Sequence, residues 1–196
     1  MLNSNDFQIS LPDWAVAELQ ALPARIDSIE ERMAIVIRFS ALNIQHDTGG
    51  PFAAGVFNEE TGELVTVGVN RVVPSNCSSA HAEVVALSLA QKKLQTFDLG
   101  GKDLPRHQLV VNWRPCAMCY GAVVWSGVRS LVIAGSDGQL EQITGFDEGP
   151  IHPDWMAELQ RRGICVTDNV LKDDACNVFR TFRESGKLVY NGRRSD

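Results

Sequence analysis

Long apolar runs, an excess of basic residues, internal repeats and an even set of cysteines are all missing from this chain of 196 residues. No stretch approaches the ~20 apolar residues that span a bilayer, and Met1–Gln8 has no basic region followed by an apolar core of the kind a secretory signal carries. A membrane or secreted protein is therefore not expected, and the chain reads as cytoplasmic. Lys and Arg number 18 against 24 Asp and Glu, a formal net charge of −6. That balance removes the usual electrostatic case for docking on a long phosphate backbone. The basic pairs that are present, Arg161-Arg162 and Arg193-Arg194 beside Asp196, read as solvated surface. No nucleic-acid partner is expected, and the charge favours a small-molecule substrate. The five cysteines are Cys77, Cys116, Cys119, Cys165 and Cys176, and an odd count argues against a disulfide framework. With no repeat, low-complexity segment or linker rich in Gly, Pro or Ser, residues 1–196 read as one domain.

What is present is an alternation of periodicities. Asp13–Leu22 and Ile26–Leu42 have helical spacing and form a helical extension over 1–46, which Gly49-Gly50-Pro51 interrupts. Phe52–Phe57 and Leu64–Val72 flank Glu60-Thr61-Gly62 and read as a hairpin. Helix is expected at His81–Gln95, Pro115–Trp125 and Val170–Arg183, and strand at Gln108–Asn112, Ser130–Ala134 and Ile164–Thr167. The fold class is α/β, a mixed sheet covered by helices on both faces. His46, His107 and His152 fall in expected loops, and Trp14, Trp125 and Trp155 read as core or interface aromatics.

Two short segments at expected helix starts carry chemistry: His81-Ala82-Glu83 and Pro115-Cys116-Ala117-Met118-Cys119. Cysteines at i and i+3 share a helix face. With His81 they offer one imidazole and two thiolates and leave a fourth tetrahedral position open, the arrangement of a catalytic Zn2+ site rather than a closed structural one. Helix N-termini help to keep the thiolates ionised. Glu83, two residues past His81, is placed to move protons without being a ligand. A structural knuckle would need a fourth ligand, for which Cys77 is the candidate, and would have no use for Glu83. H-x-E followed by P-C-x-x-C is the known signature of zinc deaminases.

Further segments narrow the likeness: Gly50-Pro51-Phe52-Ala53-Ala54, Val69-Asn70-Arg71, Cys119-Tyr120-Gly121-Ala122-Val123-Val124-Trp125 and Gly145-Phe146-Asp147-Glu148-Gly149-Pro150. From about Ala34 to Tyr190 the chain resembles the bacterial guanine deaminases of the cytidine/deoxycytidylate deaminase superfamily. It is most similar to a proteobacterial subgroup that also deaminates the triazine ammeline. The resemblance implies a cytidine-deaminase-like three-layer sandwich around a mixed five-stranded sheet. It also implies a homodimer in which the C-terminal segment, residues 170–196, is swapped over the partner's site. One Zn2+ per subunit would be held by His81, Cys116 and Cys119, with Glu83 relaying protons. Carried over by position, Asn70 would bond the base and Phe52 would line its pocket. Asp147 would meet the base edge, Tyr190 would close the pocket, and Glu141 would match a second catalytic acid. The implied reaction is hydrolytic deamination of guanine to xanthine and ammonia. Alternatives are ammeline or guanosine as substrate, a tRNA adenosine deaminase, and a non-catalytic zinc-stabilised interaction module.

The chain departs from the family at Val111-Asn112-Trp113-Arg114, where a Glu preceded by small residues is usual before the proline. Either the large aromatic and the reversed charge reshape the pocket, or both side chains point away from it.

Overall fold

Five strands form one sheet in the order β2-β1-β3-β4-β5, in a computed structural model that describes Asn5 and residues 8–192. They are β1 (Ala53–Asn58), β2 (Leu64–Val69), β3 (His107–Val111), β4 (Ser130–Ile133) and β5 (Cys165–Thr167). β1 pairs antiparallel with β2 and β3, whereas β3, β4 and β5 run parallel. The sheet is therefore mixed, as the pattern of elements suggested. β1, β3 and β4 are buried along their whole length, and they read as near-continuous apolar runs because both faces are covered.

Side-chain alternation divides the core into two layers. Phe57, Val110 and Val132 face α2 (Ile29–Gln45) and α7 (Lys172–Glu184), packing with Met33, Phe39, Phe179 and Phe182. Val56, Leu109 and Leu131 face α3 (Ala82–Leu94), α4 (Ala117–Ser126) and α6 (Trp155–Arg161), packing with Ala86, Leu87, Val123 and Leu159. The remaining helices are α1 (Asp13–Ala21) and α5 (Gln139–Thr144). The three-layer sandwich is present.

Several boundaries differ from the sequence reading. α2 begins at Ile29, not Ile26, because Ser28 and Glu31 form a capping box: each side chain bonds the other's backbone N–H at 3.2 Å. Ile26 instead donates its N–H to the Gly62 carbonyl beneath the hairpin turn. β2 stops at Val69, since the Asn70 N–H turns to the Phe52 carbonyl. His107 is not in a loop: it is the first residue of β3, 1% exposed, with Nδ1 2.8 Å from the Leu99 carbonyl. Trp125 is neither core nor covered within this chain, being 86% exposed. α5 and α6, of six and seven residues, are too short to announce themselves by periodicity. The Arg193-Arg194 pair lies outside the described residues.

One glycine sets the depth of α3 on the sheet. A Cβ on Gly68 in β2 would lie 2.4 Å from the Ala86 nitrogen and 2.6 Å from the Ala82 carbonyl oxygen. Both are backbone atoms of α3, so no side-chain rearrangement relieves the clash. Gly68→Ala is expected to cost about 1–3 kcal/mol and to lower Tm by several degrees in a thermal melt; an unchanged Tm would show that α3 is not held at this contact.

Candidate active site

The chemistry-bearing segments occupy the first turns of two helices that meet above the sheet. His81 is the N-cap of α3, Cys116 is the N-cap of α4, and Cys119 lies one turn into α4. Pro115 thus precedes the helix instead of lying in its first turn. Ligand atoms of His81, Cys116 and Cys119 all lie within 4.8 Å of one another, with Cys116 Sγ 3.6 Å from His81 Nδ1. One imidazole and two thiolates at this separation fit one Zn2+ and leave room for an exchangeable position. Cys77 takes no part in this group; its Sγ is 3.2 Å from Ser79 Oγ.

The electrostatics also fit a cation. A hydrogen bond from Cys119 holds the Cys116 thiol down to about 4, against the opposing effect of burial. The same bond, followed by burial, holds Cys119 well above the ordinary thiol range. Burial presses His81 downward, but the bond to Cys116 and the charge of Glu83 outweigh it and raise the imidazole to about 8. Anionic sulfur is thus held at Cys116, the N-cap of α4, by hydrogen bonds from Cys119 and His81.

Around this group a cavity of ≈ 120 Å³ opens, lined by His81 and Glu83 and by Phe52, Asn70, Asp147 and Tyr190. Glu83 is 6% exposed, and its carboxyl is raised by burial and by the Cys116 charge. Asn70 accepts the Gly50 and Val72 N–H groups at Oδ1, both at 3.3 Å, which turns its amide nitrogen away from those loops. Phe52 packs on Phe146 and Phe179, with centroids 5.3 and 5.9 Å apart. The Asp147 carboxylate accepts the Gly149 N–H at 2.9 Å within its own turn. The tail lies over this chain's own cavity: Tyr190 lines it, and Asn191 clasps the 145–147 backbone by accepting from Asp147 N at 2.7 Å and donating to Gly145 O at 2.9 Å.

Glu141 does not line the cavity. It sits on α5 and accepts from Arg114 Nη2 at 2.8 Å. A third carboxylate on the cavity wall, beside Glu83 and Asp147, is Glu148, which sequence reasoning passed over although it lies in the matched Gly145–Pro150 segment. Burial, then the charges of Cys116 and Glu83, push Glu148 up to about 8. Phe146 and Leu188 were likewise missed as lining residues. Trp113 and Arg114 are not turned out to solvent at the strand end. Both line the cavity, and Trp113, 1% exposed, packs edge-on against Phe179.

Two outcomes follow from this geometry. Purified protein should hold one Zn2+ per chain, and Cys116→Ser or Cys119→Ser should lose it by elemental analysis; full retention would mean the ion sits elsewhere. In the metal-free protein Glu148 keeps a proton that the unfolded chain releases. Its stabilising contribution is therefore complete below pH 4.5 and is lost as pH rises through about 8. Glu148→Gln should flatten that part of the stability profile, read by urea denaturation across the window, and an unaltered slope would place the titration on another group.

Comparison with known proteins agrees with the site. Residues 27–135 match the family described as the cytidine and deoxycytidylate deaminase zinc-binding region. The chain is similar to the solved guanine deaminase from Nitrosomonas europaea at 47% identity, covering 93% of this chain and 98% of that one, with a TM-score of 0.87. A solved structure in complex with 2,6-diaminopurine is 48% identical over 95% of this chain and 97% of that one, also with a TM-score of 0.87. The guanine deaminase of Bacillus subtilis is 33% identical over 116 residues, 59% of this chain and 69% of that protein. The chain belongs to the cytidine and deoxycytidylate deaminase family of zinc-dependent hydrolytic deaminases, alongside its guanine deaminases.

Proposed function

We propose that this protein deaminates guanine to xanthine, releasing ammonia, and that Glu83 and Glu148 are the residues that handle protons. The observation that carries the reading is the placing of a buried carboxyl, Glu83, and a half-buried one, Glu148, in one cavity beside the His81, Cys116 and Cys119 group. Zn2+ bound there supplies Lewis acidity and lowers the pKa of water toward neutrality. Glu83 takes a proton from the attacking water and delivers it to the ring nitrogen beside the amino-bearing carbon, then assists the departing amine. Glu148, kept protonated by burial, holds a second proton near that amine. Glu148 replaces Glu141 in this role, because the Glu141 carboxylate is engaged by Arg114. Asn70 donates its amide N–H to the base, and Phe52 with Phe146 grips the ring faces. Asp147 shapes the turn that presents Glu148, and Tyr190 closes the cavity from the tail, excluding water.

The functional unit is proposed to be a homodimer. Supporting it is an uncharged stripe on α4, the exposed Met118 and Trp125 with half-buried Gly121 between them, adjoining the metal ligand Cys119. The C-terminal segment that lies over the cavity is proposed to be the one exchanged between the subunits. No helix among the described residues is long and apolar enough to cross a membrane, and a cytoplasmic setting is proposed on the strength of the free cysteines.

The test is ammonia release by zinc-loaded protein from guanine, ammeline, guanosine, cytosine, adenine and a tRNA. Guanine is expected to be the best substrate. Glu83→Gln should lower kcat by ~10²–10⁴ while keeping zinc and Tm. Glu148→Gln should lower kcat more than Glu141→Gln does. Turnover of another member with guanine untouched would overturn the substrate, and wild-type turnover by Glu83→Gln would overturn the mechanism.

A further inference from the structure

Asn70 meets the cavity where its strand ends. β2 stops at Val69, so the Asn70 carbonyl has no partner in the sheet ladder, and a buried carbonyl then needs a donor from elsewhere. That donor is Asn43, in the last turn of α2 and 0% exposed. Its Nδ2 donates to the Asn70 carbonyl at 3.0 Å and to the Gly50 carbonyl at 2.8 Å. One buried amide therefore ties two backbone segments together beside the cavity, which Gly50 and Asn70 both line.

The orientation of that amide is itself fixed. Thr48 Oγ1 donates to Asn43 Oδ1 at 2.8 Å and accepts from Trp14 Nε1 at 2.9 Å. An indole N–H can only donate, so the relay runs one way, from Trp14 through Thr48 to the Asn43 oxygen. The Asn43 nitrogen is left for the two carbonyls. The indole is held in turn by stacking on His46, with centroids 5.2 Å and planes 9° apart. Packing here is tight: a Cβ on Gly49 would lie 2.6 Å from Asn43 Nδ2. α1 thus reaches the base pocket, although none of its residues lines the cavity.

The same clasp reaches the Asn70 side chain. Gly50 is gripped twice, its carbonyl by Asn43 and its N–H by Asn70 Oδ1, which also accepts from Val72. Asn70 Nδ2 has no partner among the described residues, yet it is not one of the buried atoms left unpaired, so it keeps accessible surface. A shift of Asn43 would move both the Asn70 backbone and the loop that anchors its side chain.

We propose that Asn43 is a positioning residue for substrate binding: through the Gly50 and Asn70 carbonyls it aims the Asn70 amide N–H at an acceptor atom of the base. This rests on the deaminase reading above, in which Asn70 contacts the base, and deepens it.

The test is a double-mutant cycle on guanine affinity, measured by equilibrium dialysis in zinc-loaded Glu83→Gln protein, where guanine is not consumed. Asn43→Ala should weaken guanine by roughly tenfold, and Asn70→Ala by a similar factor. Once Asn70→Ala has removed the amide to be aimed, adding Asn43→Ala should cost less than about twofold. Equal weakening in both backgrounds would mean that Asn43 serves only the fold, and would overturn the proposal. So would an unchanged affinity in either single variant. If Asn43→Ala fails to fold, Thr48→Val, which frees the Asn43 amide to turn without emptying its place, should show the same dependence on Asn70. Thr48→Ser should then restore binding; a Thr48→Val effect indifferent to Asn70 would count against the proposal. Turnover is measured separately with Glu83 in place. Guanine bound with the expected coupling but not deaminated would overturn the reaction and leave Asn43's role intact. Turnover of guanine without the coupling would do the reverse, and no guanine binding at all would sink both.

Discussion

Two helix N-termini brought together over one sheet are what the site depends on. An N-cap side chain ordinarily bonds the backbone of its own helix, a contribution of about 0.5–2 kcal/mol. Neither His81 nor Cys116 makes that bond, because both side chains are turned to the shared ligand group. Hydrogen bonds from Cys119 and from His81 are what keep Cys116 charged while it is buried, and the positive helix ends favour the same charge. Gly68 lets α3 approach β2 closely enough for this, so a residue with no chemistry of its own fixes the depth of Glu83. The metal group, the general base and the sheet register are one geometric problem.

The same helix end explains where the second carboxyl sits. With Cys116 occupied, the Ala117 N–H takes its acceptor from outside the helix, the Glu148 carbonyl at 3.0 Å. That bond ties the loop after α5 to the start of α4. The Asp147 carboxylate tightens the turn, and Gly149, at φ +71, provides the left-handed step that a side chain would resist. Glu148 is thus carried to the cavity by the backbone need of a helix terminus. Once there, burial first and then the charges of Cys116 and Glu83 favour its protonated form. Burial raises both carboxyls of the site, Glu83 and Glu148, which suits groups that must exchange protons near neutral pH.

The metal group was legible in the sequence because its signature is local: His81 with Glu83 at i+2 and Cys116 with Cys119 at i+3 need only two helix starts to become geometry. The layered α/β class was legible for a similar reason, since strands buried on both faces leave apolar runs, whereas the order of the strands was not read. Glu148 was not, because Glu141 lies within the short α5 and Glu148 in the loop after it, and only the Ala117 to Glu148 bond decides between them. The start of α2 was readable from Ser28-Ile29-Glu30-Glu31, but the apolar spacing through Ile26 suggested a longer helix. Position in the tail was not readable at all: Val189 packs on the core and Lys187 bonds the Ile44 carbonyl across more than a hundred residues.

Trp113 and Arg114 are best understood as a coupled change. The indole fills a space that Gly135 leaves open, where a Cβ would lie 2.6 Å from its ring, and it meets Phe179 of α7 edge-on. The guanidinium beside it enters a wall where a lone charge would be intolerable, and Glu141 neutralises it. A buried ion pair of this kind adds little net stability, because desolvating both charges offsets most of their attraction. Here the pair is also incompletely bonded, with donors on Arg114 and an acceptor on Glu141 unmet. Stability alone does not account for such an arrangement next to a catalytic metal loop.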